Sequence, residues 1–217
     1  MEEKQQQTNK ELRKNIFVIV WPVFVEVLLG ALFGMVDMMM VGKIPGDTAA
    51  AVSAVGMTNQ PMFLGLSLIQ ALNVGGTAII ARYFGAKKFN RMGNILKHVM
   101  ILAMIFCVTP AAILMLLFAP EILSLLGGDA TVINVGVDYF RIVTIGFVFQ
   151  SLSFTVTAAL RGIGETKIPM KNNIIANSCN VVGNAILIYG MFGLPALGVT
   201  GAAIATALSN FIAMVLN

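Results

Sequence analysis

Phe33-Gly34-Met35-Val36-Asp37-Met38-Met39-Met40-Val41-Gly42 closes a run of apolar residues that begins at Ile16. From Ile16 to Val41 there are 26 residues. As a helix that is about 39 Å at ~1.5 Å per residue, enough to cross a bilayer. Two acids lie inside the run, Glu26 and Asp37. A carboxylate at membrane depth costs roughly 2.5–3.5 kcal/mol on insertion scales unless it faces protein or water. The two are 11 residues apart. At ~100° per residue that spacing falls within roughly 20° of three full turns, so both acids share one stripe of one helix. Such a stripe reads as part of an ion or substrate path. The plainer alternative is a pair of structural carboxylates held by neighbouring helices. The path reading is carried forward, because ionisable groups inside membrane helices are by default functional.

Composition agrees with a membrane protein. Of 217 residues, 58% are hydrophobic and 11% charged, and the mean hydropathy is +0.87. Soluble domains run nearer to 45–50% apolar and ~25% charged. The net charge of +4 calls for no nucleic-acid partner, since the basic residues fall in short polar segments with few aromatics. Cys107 and Cys179 lie inside apolar runs, which argues against a disulfide framework. The first apolar run is far longer than a signal-peptide core of ~7–15 residues and is expected to stay in the chain.

Residues 1–15 are polar and read either as a short amphipathic surface helix or as a mobile tail. The first span follows, with Pro22 near its start, where a missing N–H does least harm. Gly30 and Gly34 offer a small face for close helix approach. Residues 42–48 form a turn around Pro45 and Gly46, with Asp47 placed to cap the next helix. The second span, 49–81, must tilt, kink or protrude, and Pro61 is its expected kink. Gln60, Gln70 and Asn73 are polar at depth; they suit substrate binding or, more commonly, helix-to-helix hydrogen bonds. Residues 82–97 read as a basic loop. The third span is 99–118, with a kink expected at Pro110, and 119–130 reads as a loop with a short apolar helix. The fourth span is 131–160, where Asp138 and Arg141 are spaced for an i,i+3 ion pair. A tight turn at 161–171 follows; its glycines lack the strand and the spacing of a phosphate loop.

The fifth span, 172–192, carries Asn173, Asn177, Asn180 and Asn184. Spacings of 4, 3 and 4 put all four on one helical face, which must point into protein. The sixth span starts near Gly198. Gly198, Ala202 and Thr206 form one small-residue row, and Gly201, Ala205 and Ser209 the next; both permit tight packing. Twelve of the fourteen Lys and Arg residues fall on one side of this six-span arrangement, leaving Lys43 and Arg141 for the other. The positive-inside rule then places both ends in the cytoplasm.

Four stretches resemble the multidrug and toxic compound extrusion (MATE) transporters, in order along nearly the whole chain. Val36-Asp37 with Met38-Met39-Met40-Val41-Gly42 resembles the family's first-helix motif. Residues 50–60 resemble its second helix, 159–170 its fourth-to-fifth helix loop, and 198–206 the start of its sixth. The 159–170 stretch is the most specific. The resemblance implies an all-α membrane protein, the six-helix first lobe of a two-lobe transporter, spanning 16–217 behind a cytoplasmic segment 1–15. It implies a drug or organic-cation antiporter, not an enzyme, in the cell membrane and driven by Na⁺ or H⁺. It also implies a coupling site at Asp37, Asn180, Asn184 and Thr206, with Ala202 supplying only backbone. Asn184 stands where several members carry an acid, so this site has one carboxylate fewer, which puts Na⁺ affinity in question. Glu26, Gln70, Asn73 and Asn177 are further intramembrane candidates. Glu26 lies about 16 Å along the helix from Asp37 and reads as a second site, not a co-ligand.

Two rivals remain. A lipid-linked oligosaccharide flippase of the same superfamily usually needs several cationic side chains facing its cavity, and the basic residues here sit between spans. A non-transporting assembly subunit has no need to bear the cost of buried acids and an Asn face. The sixth span reaches the last residue without a polar tail, so the expectation is a half-transporter, completed by a C-terminal lobe or by a second copy.

Overall fold

The computed structural model describes residues 2–44 and 46–217, without the side chains of 2–10, 12 and 15. Pro45, expected in the first turn, therefore lies outside the described residues, as do the side chains of Lys4 and Lys10. The described residues form helices and connecting turns, with no strand among them. Six membrane-spanning helices make the bundle. They are α1 (Glu2–Val41), α2 (Thr48–Gly85), the broken third span α3 (Phe89–Ala103) with α4 (Thr109–Leu117), α6 (Ala130–Gly162), α7 (Lys167–Tyr189) and α8 (Gly198–Leu216). A short α5 (Ala119–Leu125) links the third and fourth spans. Five of the six are long and apolar enough to cross a membrane by composition alone. The exception is α7, which carries the Asn row.

Several local expectations are corrected. The polar segment 2–15 is helical and continuous with the first span. Its Glu, Gln, Lys and Arg residues are good helix formers. Pro22 is consequently well inside α1, buried, and its missing N–H falls mid-helix. The basic segment 82–97 is also mostly helix: α2 runs on to Gly85, α3 begins at Phe89, and only 86–88 turn. Around Pro110 the third span breaks through a π-helical turn, Met104–Val108, immediately before α4. Proline cannot donate to the carbonyl four residues back and crowds it, and a wider turn relieves both. Asp138 and Arg141 are exposed and unpaired; the ion pair found among the described residues joins Glu26 to Arg161.

Other signals are met. Asp47 accepts from the Ala50 N–H at 3.0 Å and starts α2. Asp129, read only as a loop residue, does the same for α6 through the Val132 N–H at 2.8 Å. The turn between α6 and α7 is tight, with Gly164 at φ +88°.

At the centre, α6 packs against α2 on one side and α8 on the other, while α7 packs against α8 and α1. Phe140 and Phe147 of α6 are fully buried. Three hydroxyls on α6 are satisfied within their own helix: Thr144 donates to the Phe140 carbonyl at 2.7 Å, Ser151 to that of Phe147 at 2.6 Å and Thr155 to that of Ser151 at 3.1 Å. That is how hydroxyls are accommodated where no water reaches. α1 joins the bundle mainly through α7, and its outer face presents Phe17, Trp21 and Phe24 in a stacked ladder. A groove is left between α1 and α2, walled behind by α6, α7 and α8.

Candidate functional site

Asp37, Asn180, Asn184 and Thr206 meet in one hydrogen-bonded chain. Asn184, fully buried on α7, donates through Nδ2 to Asp37 Oδ1 of α1. The same Nδ2 donates to Asn180 Oδ1 at 3.2 Å, one turn earlier on α7. Asn180 Nδ2 in turn donates to Thr206 Oγ1 of α8 at 3.3 Å. Ala202 is buried one turn before Thr206. The end of α1 is pinned to α7 by Tyr189, whose hydroxyl donates to the Met40 carbonyl at 3.0 Å. Asp37 opens into a cavity of about 640 Å³, whose far wall includes Gln60 and Tyr139.

The oxygen set here is hard: one carboxylate, two amide carbonyls and a hydroxyl. Asn184 Oδ1 is buried with no hydrogen-bond partner. An unpaired buried carbonyl beside a carboxylate is a ready acceptor for a small cation or a proton donor. Among the described residues no three His, Cys, Asp or Glu side chains cluster, so no donor set for a transition metal is formed.

Glu26 does not join this group. It lies three turns earlier along α1, in an adjoining cavity of about 710 Å³ that also takes in Gln70 and Asn73. Arg161 Nη2 donates to Glu26 Oε1 at 2.8 Å, and Asn173 Nδ2 donates to the same oxygen at 2.5 Å. Asn177 and Gln150 line both cavities, so the two are continuous. Asn73, expected to bond a neighbouring helix, is buried with Oδ1 unpartnered. Gly30 and Gly34 do not mediate helix packing: a Cβ on either would meet nothing within 4 Å. They line the cavities instead, where small residues keep the groove open.

Tyr139 and Gln150 join the site without having been expected there, and Arg161, expected in a turn, is helical. A signal was present. Tyr139, Gln150 and Arg161 repeat at intervals of 11, the spacing of Glu26 and Asp37. Two helices thus turn matching polar stripes toward one groove.

A six-helix membrane bundle with a continuous polar groove on one flank is one lobe of a transporter. The MatE family model matches residues 22–186, and the chain belongs to that family, whose members are transporters and not enzymes. It is 30% identical over 210 residues to "Probable multidrug resistance protein YoeA" of Bacillus subtilis, covering 95% of this chain and 44% of that protein. It is 28% identical to "Probable multidrug resistance protein NorM" of Thermotoga maritima, covering 93% and 43%. Its fold matches the Vibrio cholerae MATE transporter VcmN in the bent form at a TM-score of 0.85 and 24% identity, over 96% of this chain and 46% of that one. The chain therefore spans a little under half the length of the relatives it matches.

Proposed function

We propose that this chain forms the first lobe of an antiporter that exports organic cations or drugs in exchange for Na⁺ or H⁺. The observation that carries the reading is the Asp37–Asn184–Asn180–Thr206 chain, which puts a carboxylate on the wall of a cavity large enough for a drug, with an unpaired carbonyl buried behind it. Ion uptake there changes the charge of the wall that a cationic substrate must leave, which is how one site links two gradients. The names of the relatives support the substrate class. A flippase is less well supported. Among the described residues Arg161 is the one Lys or Arg side chain lining the Glu26 cavity, none lines the Asp37 cavity, and a single arginine already paired with an acid is a poor match for the charge of a pyrophosphate.

The coupling ion is decided in inverted vesicles bearing a two-lobe transporter of which this chain forms the first lobe. Uptake of a fluorescent cation is followed under an imposed Na⁺ gradient or an imposed pH gradient. Stimulation by neither gradient overturns the antiporter reading.

In the proposed orientation both ends and the 86–88 and 163–166 turns face the cytoplasm of a cell-membrane protein. Cysteines placed at Lys88 and Lys167, with Cys107 and Cys179 replaced, should react with impermeant maleimide only in inverted vesicles. Labelling of either from outside intact cells reverses the orientation.

A further inference from the structure

The outer face of the third span carries a pattern that neither cavity uses. No acid occurs between Asp47 and Glu121, while Arg82, Lys87, Lys88, Arg91 and Lys97 fall where α2 turns into α3. All five are exposed, and among the described residues none is paired with an acid. The other basic turn differs: Glu165 lies two residues from Lys167, and Arg161 is held by Glu26.

Four polar residues mark one stripe. Lys88 is the N-cap of α3, and Arg91, Asn94 and His98 follow at steps of 3, 3 and 4. Such steps share one helical face. His98 Nδ1 donates to the Asn94 carbonyl at 2.6 Å, which holds the ring along the stripe. The stripe then turns apolar through Ile101, Leu102 and Ile105, all exposed, while Ala103 on the opposite side is buried. From Arg91 to Ile101 is about 15 Å at ~1.5 Å per residue, half of a ~30 Å hydrocarbon core. A cationic head above an apolar track one leaflet deep has the outline of a phospholipid.

The turn itself separates a lipid from a soluble partner. Phe84 and Phe89, 41% and 58% exposed, meet edge to face at 5.8 Å beside the cations. Exposed rings among cations suit the boundary between headgroups and acyl chains. A soluble anion would neutralise the cations and leave the rings and the track uncovered. A lipid covers both.

We propose that this face of α3 holds an anionic phospholipid. Arg91 and Lys88 take its phosphate, with Asn94 and His98 beside it, and its acyl chains lie along Ile101, Leu102 and Ile105. A zwitterionic phospholipid offers the same phosphate but brings its own cation, which the basic cluster repels. Binding needs only that the third span crosses the bilayer, so it stands whatever the chain exports.

The test reads lipid contact by tryptophan quenching. Trp21 is the single tryptophan, so Trp21→Phe with Ile101→Trp places one reporter on the track. The chain is reconstituted in mixtures of phosphatidylglycerol and phosphatidylcholine, with one or the other brominated at mid-chain; bromine quenches on contact. Phosphatidylglycerol should occupy this position at least about fivefold more strongly, the effect of one Lys or Arg near an anionic surface. A reporter at Leu208 of α8, also exposed and with no Lys or Arg between Lys171 and the last residue, should show a preference below about twofold. In the Ile101→Trp background, Lys88→Gln with Arg91→Gln should reduce the preference to within about twofold. Lys88→Arg with Arg91→Lys keeps both charges and should retain it, which separates loss of charge from damage to the fold. Inorganic phosphate and poly-glutamate, added at constant ionic strength, should leave the phosphatidylglycerol quenching unchanged. Equal occupancy at Ile101→Trp, an equal preference at Leu208→Trp, its survival in the Gln variant or its loss in the charge-keeping variant overturns the proposal. So does displacement by phosphate, which makes this a site for a soluble anion, or by poly-glutamate, which makes it a docking face for an acidic protein.

Discussion

Asp37→Asn is expected to abolish gradient-driven export in the two-lobe context, to the level of vesicles without transporter, while leaving insertion and fold intact. The substitution keeps the shape of the side chain and removes its charge. The carboxylate is tolerated at depth because Asn184 donates to it and the cavity gives it a polar wall. An amide keeps the acceptor that Asn184 uses and brings no charge to desolvate, so the substitution adds no buried charge to the bundle. What disappears is a group that can exchange a cation or proton with the groove. Thr206 and Asn180 still bond each other across α7 and α8, so the helices keep their register. Vesicle uptake measures the loss, and an unchanged elution profile on size exclusion shows that the fold is kept. Export that persists in Asp37→Asn would falsify the coupling assignment.

Much of this arrangement could be read from spacing alone. The 4, 3, 4 row of asparagines on α7 and the 11-residue step from Glu26 to Asp37 each name a helical face, and a polar face in a membrane helix has to turn inward. What spacing does not reveal is which inward face meets a neighbour and which meets a cavity. Gly30 and Gly34 have the spacing of a packing motif, yet they line the groove, because α1 leans on α7 with a different side. Asn73 was read as a helix-to-helix bond for the same reason. Arg161 was misplaced by a boundary: it was read into the turn, whereas α6 continues to Gly162 and aims that side chain at Glu26. The break before Pro110 was legible as a position but not as a π turn, since the form of the relief depends on what packs around it.

The small-residue rows on α8 were readable as packing surfaces, and they lead to the second large effect. Gly201→Val is expected to destabilise the bundle by about 3 kcal/mol or more, the upper range for overpacking a tight core. A Cβ on Gly201 would sit 2.6 Å from the Leu187 carbonyl oxygen and 2.7 Å from its carbon, both backbone atoms of α7. No rotamer change relieves such a contact; α7 itself has to move. On the same pair of helices, a Cβ on Gly183 would lie 3.1 Å from the Ala205 Cβ. Gly183 falls between Asn180 and Asn184, and Gly201 and Ala205 precede Thr206. The two glycines therefore set the separation across which Asn180 reaches Thr206 at 3.3 Å. Even Gly201→Ala introduces the clashing Cβ, so it should lower the melting temperature and weaken coupled export together. Gly34→Ala, where nothing lies within 4 Å, should not lower stability and should raise it by up to about 1 kcal/mol through helix propensity. Thermal unfolding of the three variants in detergent, with yield of monodisperse protein, checks the order. A Gly201→Val chain as stable as the unaltered one would mean that α7 and α8 are not held at this separation, and the Asn180–Thr206 bond would lose its structural basis.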